Sequence, residues 1–403
     1  MKKVLIISYF FPPIGASQRT LKFVKYLPKF GWMPIVLAPQ KSNYIRKDPT
    51  MESEIPANCK VFRLPSCENI PGNPFVRKED FKHGWYPQAI KAGLSLIEKE
   101  KIDMIYTTAP PNISHLIGLN LKKLTKTPWV ADFRDEWTTN PFIKGRFDAE
   151  LTDYNKRLEN HVLTVADGVI SVSDHICDIL YKLAGNQSRG KFHTIMNGYD
   201  PMDFHHLSPN PSTKKFTICY MGSLYGIRKN LALDFFKKFE QALIDKKLNP
   251  NEVELLIVGD PLKNFGPVLS KITKNTGYIY HQKALNQAAS ADLLLLFINP
   301  NEGNQTVTSK IFELINLKKP ILALVPPNGV PAEIIRKTGT GIVLDSAFPE
   351  KSIPTIMKLM TDWKTNASTF TPNLQEIQKY DRKKLTSQLA TIMEQISVRK
   401  NRR

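Results

Sequence analysis

The chain has 403 residues, of which 42% are hydrophobic and 23% charged, proportions that are ordinary for a soluble protein with two or three folded domains. Lysine and arginine number 56 against 37 acidic residues, so the formal net charge is +19 at pH 7. A basic surface favours nucleic acid, anionic lipid or phosphorylated ligands as partners, and it carries no information on the fold.

The first predicted element is a buried strand, Val4–Ser8. The N-terminal sequence MKKVLIISYFFPP resembles a signal peptide, but its apolar run is short, contains Ser8 and Tyr9, and precedes no small-residue cleavage site. No later stretch approaches the roughly 20 apolar residues of a spanning helix. We therefore expect a soluble protein, or one that lies on a membrane surface.

Short apolar runs alternate with amphipathic stretches through the first half, which is the pattern of a parallel sheet with crossover helices. The predicted strands are Val4–Ser8, Ile35–Ala38, Val61–Leu64, Met104–Thr107, Trp129–Asp132 and Val169–Val172. The predicted helices among them are Arg19–Phe30, Gln88–Lys101, Ile113–Thr125 and Glu150–Ala166.

A second alternating series follows Asn197–Lys215, a segment rich in proline and polar residues that is predicted to be a linker. Its strands are Thr217–Met221, Leu255–Val258, Tyr278–Tyr280, Leu293–Ile298, Ile321–Val325 and Gly341–Leu344, with a helix at Asn230–Leu243 and a last helix at about Leu374–Ile396. The prediction is an α/β protein with two Rossmann-like domains. Its parts are an N-terminal domain (1–200), a linker (201–215), a C-terminal domain (216–373) and a C-terminal helix (374–403) that could pack back on the first domain.

The first strand leads into the loop Phe10–Gln18 (FFPPIGASQ), at the sheet edge where open α/β folds bind ligands. Gly15 would let a ligand approach the backbone closely, and the next helix offers its N-terminus. The spacing is not GxGxxG, so a dinucleotide site is poorly supported. A simple strand-to-helix turn explains the loop equally well.

Charged residues end an apolar strand in Trp129–Trp137 (WVADFRDEW), where Asp132, Arg134 and Asp135 lie between two tryptophans. Charges this close to a core are costly unless they are paired or functional. We favour a functional site because the charges lie at a strand's carboxyl end, and aromatic faces beside carboxylates also suit sugars. The alternative is a pair between Arg134 and a carboxylate that holds a loop in place.

The segment Gly222–Lys229 (GSLYGIRK) repeats the strand, glycine loop and helix order in the second half. Gly222 ends the strand, and Arg228 with Lys229 opens the helix. Two cations at a helix N-terminus predict a diphosphate clamp, because cations alone disfavour that end. Solvated charges at a helix start are the alternative.

The most informative segment is Thr308–Pro320 (TSKIFELINLKKP), which lies between two apolar strands. Thr308 and Ser309 are good N-cap residues, and Lys310 adds a cation beside the orphan N–H groups. Glu313 points from nearly the same helix face, one turn deeper. A cation for phosphate and a carboxylate for a hydroxyl pair suit a nucleoside diphosphate, although a capped core helix would carry the same residues.

Metal and thiol chemistry find little support in the sequence. The chain has no DxD pair, HExxH motif or Cys/His cluster, so a catalytic metal has no evident ligands. The four cysteines, Cys59, Cys67, Cys177 and Cys219, show no zinc or disulfide spacing, and reduced thiols of a cytosolic protein fit them best.

The segment Phe75–Tyr86 (FVRKEDFKHGWY) interleaves aromatic and basic residues. It could touch anionic lipid, an acceptor or nucleic acid, or it could simply be a loop with packed aromatics.

Several motifs, in their order and spacing, resemble the retaining glycosyltransferases of family 4, which include many bacterial cell-surface polysaccharide enzymes. They are FPPIGASQR, TTAPPNISHLIG, ADFRDEW, MNGYD, YMGSLYGIRKN, LLIVGD and SKIFELINLKKPILAL. The resemblance implies the GT-B fold, two Rossmann-like domains that face a central cleft. It also implies sugar transfer from a nucleotide-diphosphate donor, bound mainly by the C-terminal half, to a lipid-linked or polysaccharide acceptor.

The resemblance also implies roles for single residues. Glu313 would bind the ribose hydroxyls, and Lys310, with Thr308 and Ser309, would meet the diphosphate. Arg228 and Lys229 would form the basic pair that neutralises the leaving diphosphate. Gly15 would be the glycine of the N-terminal domain that comes close to the phosphates. Such catalysis needs no metal, because fixed cations and N–H dipoles meet the developing charge.

Two departures from the family pattern concern the sugar and the acceptor. Many members carry a glutamate eight positions before the one that corresponds to Glu313, and in this chain that earlier position is occupied by Gln305. A histidine frequent at the end of the fourth N-domain strand is replaced by Arg134. The donor sugar and the group that meets the reacting hydroxyl are therefore open.

Our leading hypothesis is a cytoplasmic glycosyltransferase on the inner face of the membrane, where the basic charge would favour an anionic surface. A sugar-nucleotide epimerase shares the two-domain architecture and would convert the donor without an acceptor. A non-catalytic nucleotide-sugar-binding protein would explain the departures at Gln305 and Arg134. No recognition motif supports nucleic-acid binding.

Overall fold

The computed structural model describes residues 1–40, 47–65, 75–82, 84–141, 143, 145–211, 214–224, 226–260, 265–367 and 370–401. Cys67, and His83 within the segment Phe75–Tyr86, lie outside this described part. The chain divides into two compact units, of which the first comprises Met1–Asn197 with Arg382–Arg403 and the second Gly198–Asp381.

The first unit is built on a seven-stranded sheet in the order β3-β2-β1-β4-β5-β6-β7. Its strands are β1 (Lys2–Ser8), β2 (Trp32–Pro39), β3 (Lys60–Leu64), β4 (Met104–Ala109), β5 (Trp129–Phe133), β6 (Gly168–Ser171) and β7 (Phe192–Thr194). Its crossover helices are α1 (Gln18–Tyr26), α2 (Tyr86–Glu100), α3 (Ile113–Thr125), α4 (Ala149–Val165) and α5 (Asp174–Leu183). All neighbouring strands pair in parallel, so every carboxyl end lies at one edge.

The second unit carries a six-stranded sheet in the order β10-β9-β8-β11-β12-β13, again with parallel pairs throughout. Its strands are β8 (Phe216–Gly222), β9 (Val253–Gly259), β10 (Thr273–Asn275), β11 (Leu293–Phe297), β12 (Ile321–Val325) and β13 (Gly341–Asp345). Its helices are α6 (Gly226–Ile244), α7 (Pro267–Ile272), α8 (His281–Ala289), α9 (Lys310–Leu317), α10 (Val330–Thr338), α11 (Ser352–Lys364) and α12 (Leu374–Ile377). In both sheets the strand order reverses beside the first strand, which is where doubly wound folds bind ligands.

The strands form where apolar runs are covered on both faces. Residues Val4–Ile7 of β1 are completely buried, as expected for a central parallel strand under helices. The two faces of the first sheet carry separate cores, one of them closed by the chain's last helix, α13 (Arg382–Asn401). Among the described helices, none is both long and apolar enough to cross a membrane.

Two predicted elements are wrong. Tyr278–Tyr280 is not a strand, because the strand after α7 is the short polar β10, and both tyrosines are exposed in the segment that leads into α8. The single helix predicted over Leu374–Ile396 is broken at Asp381, whose backbone is extended and pairs with Tyr199. The sequence analysis also missed β7, because a three-residue edge strand has no apolar run.

The helix α13 packs on the first unit. Its apolar residues Leu385, Leu389 and Met393 join the core beside β1. Gly168 at the start of β6 leaves room for Ile396, since a Cβ there would lie 2.7 Å from the Cδ1 of Ile396. The chain thus returns to its first unit after completing the second.

Candidate functional site

Two glycines lie side by side at the carboxyl edge of the second sheet, and one of them makes room for Lys310. Gly222 and Gly259 are register partners at the ends of β8 and β9. A Cβ on Gly259 would lie 2.2 Å from the carbonyl oxygen of Gly222, and a Cβ on Gly222 would lie 2.7 Å from the Cε of Lys310. The Lys310 side chain therefore crosses this edge over a backbone that has no side chain of its own.

The start of α9 presents backbone donors at the same edge. The helix begins at Lys310, and no described residue accepts a hydrogen bond from the backbone N–H of Thr308, Ser309 or Lys310. No described residue pairs with the Lys310 ammonium either. Orphan N–H groups, the positive end of the helix dipole and a cation together are suited to an anion.

The predicted side-chain capping of α9 is wrong. Ser309 occupies the N-cap position, but its backbone is helical (φ −59°, ψ −24°) and its hydroxyl makes no capping bond. An N-cap residue usually has an extended backbone, which turns its side chain toward the free N–H groups. The hydroxyls of Thr308 and Ser309 therefore do not occupy these donors.

Glu313 lies in the first turn of α9 and contacts a histidine that the sequence analysis missed. The Nε2 of His281 is 2.9 Å from the Oε1 of Glu313, and the two side chains are only 17% and 18% exposed. His281 is the first residue of α8, directly after the wrongly predicted strand Tyr278–Tyr280. Helices α8 and α9 thereby meet at this carboxylate.

The two cations at the start of α6 differ in their surroundings. The guanidinium of Arg228 donates from Nε and Nη2 to both carboxylate oxygens of Glu302, at 3.1 Å for the Nε bond, and the side chains are 11% and 1% exposed. Glu302 also accepts from the backbone N–H of Asn299. Lys229 is exposed, and no described residue pairs with it. Arg228 is thus paired with a carboxylate of the same unit, whereas the ammonium of Lys229 is available to solvent or to a ligand.

Gln305 lies exposed in the loop between Glu302 and α9. The loop backbone is anchored at Asn304, whose carbonyl oxygen accepts from the backbone N–H of Val330 at 2.9 Å. A Cβ on Gly329 would lie 2.8 Å from that oxygen, so a glycine is needed for this approach. The loop is therefore held against the start of α10 while Gln305 faces solvent.

Asp132 is part of a buried framework in the first unit. It is fully buried, and Arg19 donates to its two oxygens at 2.8 Å each. The hydroxyls of Tyr106 (2.5 Å) and Thr108 (3.3 Å) also donate to it. Burial alone would raise the pKa of Asp132, but the charge of Arg19 and the hydrogen bonds outweigh burial and hold the pKa below its usual value.

Arg134 holds two loops through backbone carbonyl oxygens. Its guanidinium donates to Ala109 and Ala16 at 2.9 Å and to Pro110 at 3.1 Å. It thereby ties the loop after β4 to the turn Gly15–Ser17 after β1. The predicted Arg134–carboxylate pair is wrong in its partner, since these bonds go to the backbone. Asp135 is exposed.

A buried histidine lies beneath the same edge. Trp129 donates to the Oγ1 of Thr107 at 2.9 Å, and that oxygen is 2.8 Å from the Nδ1 of His115. His115 is fully buried, and burial lowers its pKa to about 3, so the ring is neutral at physiological pH. Its role is in the packing of α3 on the sheet, where it contacts the ring of Phe133.

Glu159 of α4 holds the segment after β5. One carboxylate oxygen accepts from the backbone N–H of Thr138 at 3.2 Å and from its hydroxyl. No described residue bonds to the other oxygen, which is also buried. Burial raises the pKa of Glu159 to about 7, although the bonds from Thr138 oppose the shift.

The aromatic residues of Phe75–Tyr86 belong to the core of the first unit. Phe75 and Trp85 are buried, and Phe75 stacks on Phe147 with ring centroids 4.4 Å apart. The exposed residues are charged ones, namely Arg77, Lys78, Glu79 and Lys82. The structure therefore agrees with packed aromatics, and charged side chains, three of them basic, are what this segment offers to a surface.

Residues 14–202 match the family model described as Glycosyltransferase Family 4. A search of curated proteins found no significant match. The family match covers the segment with the buried framework of Asp132 and Arg134. The second unit, with Lys310 and Glu313, is therefore related to known proteins through its fold.

Solved structures resemble the whole chain. A glycosyltransferase from Rickettsia africae ESF-5 is 15% identical, with a TM-score of 0.66 and coverage of 98% of each chain. WaaG, a glycosyltransferase involved in lipopolysaccharide biosynthesis, is 14% identical, with a TM-score of 0.62 over 98% of this chain and 99% of that chain. UDP-GlcNAc 2-epimerase from Neisseria meningitidis, bound to UDP-GlcNAc, is 13% identical, with a TM-score of 0.58 over 98% and 100%. These likenesses confirm the predicted two-domain α/β fold of the GT-B type.

Proposed function

We propose that this chain, which has the GT-B fold and matches the family 4 model over residues 14–202, is a glycosyltransferase with a specific reaction. It is a retaining enzyme that moves a sugar from a nucleotide-diphosphate donor to a lipid-linked or polysaccharide acceptor in cell-surface glycan synthesis. The observation that carries the proposal is the passage of Lys310 over Gly222, beside backbone N–H groups that no described residue uses.

The diphosphate of the donor would bind at the start of α9. The Lys310 ammonium and the N–H groups of Thr308 and Ser309 supply positive charge and donors without prior partners within the described chain. An anion that binds there does not have to displace an internal salt bridge among the described residues, so none of its binding free energy is spent on breaking one. This is the reason to prefer a ligand site over a capped core helix.

The nucleoside of the donor would be held by Glu313. A carboxylate has two oxygens, so it can accept hydrogen bonds from both hydroxyls of a ribose. Glu313 lies one helical turn after Lys310, so a ribose at the carboxylate and a diphosphate at the ammonium are on the same face of α9. The same donor would leave Gln305 near the sugar, as the resemblance implies.

The chemical step would be driven by stabilisation of the leaving group. As the bond between the anomeric carbon and the diphosphate oxygen breaks, negative charge grows on the diphosphate, and the acceptor oxygen forms the new bond at that carbon. Lys310 and Lys229 would meet this charge, and Arg228, which Glu302 holds in place, would add to it from the start of the same helix as Lys229. Prearranged cations and N–H dipoles are a main source of catalysis in such steps. The scheme uses no metal ion, so activity should persist in EDTA.

We place the enzyme in the cytoplasm, peripherally on the inner face of the membrane. The net charge of +19 and the exposed Arg77, Lys78 and Lys82 support contact with anionic lipid. Flotation with vesicles of neutral and of anionic lipid tests this contact. Binding that needs anionic lipid and falls with salt supports it, whereas no binding to either vesicle contradicts it.

A donor screen tests the enzyme proposal. Thermal shift with UDP-, GDP- and dTDP-sugars should identify a stabilising donor, and Lys310→Ala and Glu313→Ala should each weaken its binding at least tenfold. Lys283→Ala removes an exposed cation from α8 and serves as the control. Unchanged donor binding in both site variants would contradict the site assignment.

The epimerase alternative has support from the fold, since UDP-GlcNAc 2-epimerase is among the similar structures. An epimerase would convert a donor sugar in the absence of an acceptor. Product analysis on donor alone therefore separates the two activities. A new sugar nucleotide would favour the epimerase, and turnover only with an acceptor would favour the transferase.

A further inference from the structure

The proposed chemistry gives no role to His281, which lies at the carboxyl edge of the second sheet. His281 contacts Glu313, the carboxylate that we assign to the ribose, through Nε2 and Oε1 at 2.9 Å. Neither side chain exceeds 18% exposure. A hydrogen bond shielded in this way restrains its partners far more than an exposed pair on long side chains.

The two residues come from different helices. His281 is the first residue of α8, and Glu313 is in the first turn of α9, 32 positions later. The rigid imidazole ring is attached to the start of a helix through two rotatable bonds, so its ring nitrogen has fewer positions open to it than a longer side chain would have. Glutamate, by contrast, has three rotatable side-chain bonds.

We propose that His281 is a positioning residue that orients the Glu313 carboxylate, and thereby sets how strongly the site distinguishes ribonucleotides from 2′-deoxyribonucleotides. The inference depends on the proposed donor site. It adds that recognition of the ribose requires a second residue, from α8, which does not itself contact the reacting atoms.

The chemical reason is the number and direction of the carboxylate's lone pairs. Two oxygens offer about four acceptor positions, so a bond to His281 leaves capacity for ribose hydroxyls. That bond also selects one plane for the carboxylate. A carboxylate that rotates freely would still attract a hydroxyl, but it would lose the alignment needed to prefer two hydroxyls over one.

The test compares dissociation constants for UDP and dUDP, and for GDP and dGDP, by titration calorimetry. The wild-type protein should prefer one ribonucleotide over its deoxy form by roughly tenfold, which is the usual effect of one hydrogen bond to a charged group. His281→Ala should reduce this ratio to about twofold or less, and Glu313→Ala should abolish it. His281→Gln, whose amide can donate in place of the ring, should restore part of the ratio.

Gln282→Ala is the matched control, because Gln282 is exposed in the same turn of α8. Thermal melting of each variant checks that the fold is intact. If His281 only stabilises α8, His281→Ala lowers the melting temperature and leaves the ratio unchanged, which overturns the inference. The inference also fails if the wild-type protein binds UDP or GDP without any preference for ribose.

Failure of the proposed function gives a different result. In that case none of the four nucleotides binds the wild-type protein and no nucleotide sugar of the donor screen stabilises it, so the ratio does not exist. Binding with a normal ratio in His281→Ala, in contrast, keeps the donor site and removes only the role of His281.

Discussion

Lys310 lies directly over Gly222, so closely that a Cβ on Gly222 would be 2.7 Å from the lysine's Cε. The two residues are 88 positions apart in the sequence. They meet because β8 ends, and α9 begins, at the same edge of the sheet. The glycine therefore determines where the lysine can lie. The relationship makes a small side chain at the end of β8 a condition for the proposed anion site.

Gly222→Ala should displace Lys310 and weaken donor binding by about tenfold, as loss of a charge-assisted bond would. The substitution also strains a backbone with φ +147°, at a cost of about 1 kcal/mol or more. Gly277→Ala is the control, because Gly277 also has positive φ (+66°) but nothing within 4 Å of its Cβ position. Equal loss of donor affinity in both variants would show that strain, not Lys310, is responsible.

Lys229→Ala and Arg228→Ala should separate binding from stability. Lys229 is exposed and pairs with no described residue, so its removal should weaken diphosphate binding and leave the unfolding free energy unchanged. Arg228→Ala leaves Glu302 buried without its cation, which should cost about 3–5 kcal/mol of stability. Urea unfolding and nucleotide titration of both variants measure the difference. The opposite pattern would mean that Arg228, not Lys229, is the free cation.

Asp132→Asn should destabilise the first unit by about 3 kcal/mol or more, because it leaves the buried guanidinium of Arg19 without a charge partner. Asp178→Asn breaks a comparable pair with Arg189, but both side chains there are about half exposed, so it should cost less than about 1 kcal/mol. Chemical unfolding of the two variants at neutral pH gives the comparison. Similar small costs would contradict the framework role of Asp132.

Glu159 should make stability fall as pH rises. Its folded pKa of about 7 exceeds the ordinary glutamate value of 4.5, so between these values the folded state retains a proton that the unfolded state has lost. Stability therefore falls from about pH 4.5 to about pH 7, by roughly 3 kcal/mol at most, and is level above that range for this group. Glu159→Gln removes the titration, so its unfolding free energy should lack this slope. Glu394→Gln, at an exposed pair with Lys2, is the control and should keep it.

The secondary structure was largely predictable because it depends on local patterns. Buried parallel strands need continuous apolar runs, which is why β5 and β12 were found with correct starts. The failures arose where tertiary packing overrode local propensity. Tyr278 and Tyr280 have strong strand propensity but lie exposed in a connection, and β10 (TKN) has almost none. Packing against β9, which propensity does not report, determined which segment became the strand.

The candidate site was predictable only in part. Lys310 and Glu313 could be proposed together because three residues separate them on one helix, so their side chains lie on one face by geometry alone. His281 and Arg19 could not be proposed, because nothing in their neighbourhood marks them. A histidine at a helix start and an arginine after a loop look like surface residues until their partners are known.

The sequence by itself determined most of the strands and helices and the chemistry available at the carboxyl edges, since periodicity and parallel pairing are local and geometric rules. Only the tertiary structure decided which charges are paired. Arg19 binds Asp132 across 113 positions, Arg228 binds Glu302 across 74, and Lys310 remains without a partner among the described residues. The physical reason is that hydrogen bonds and ion pairs act over about 3 Å, a distance that packing, not spacing along the chain, establishes.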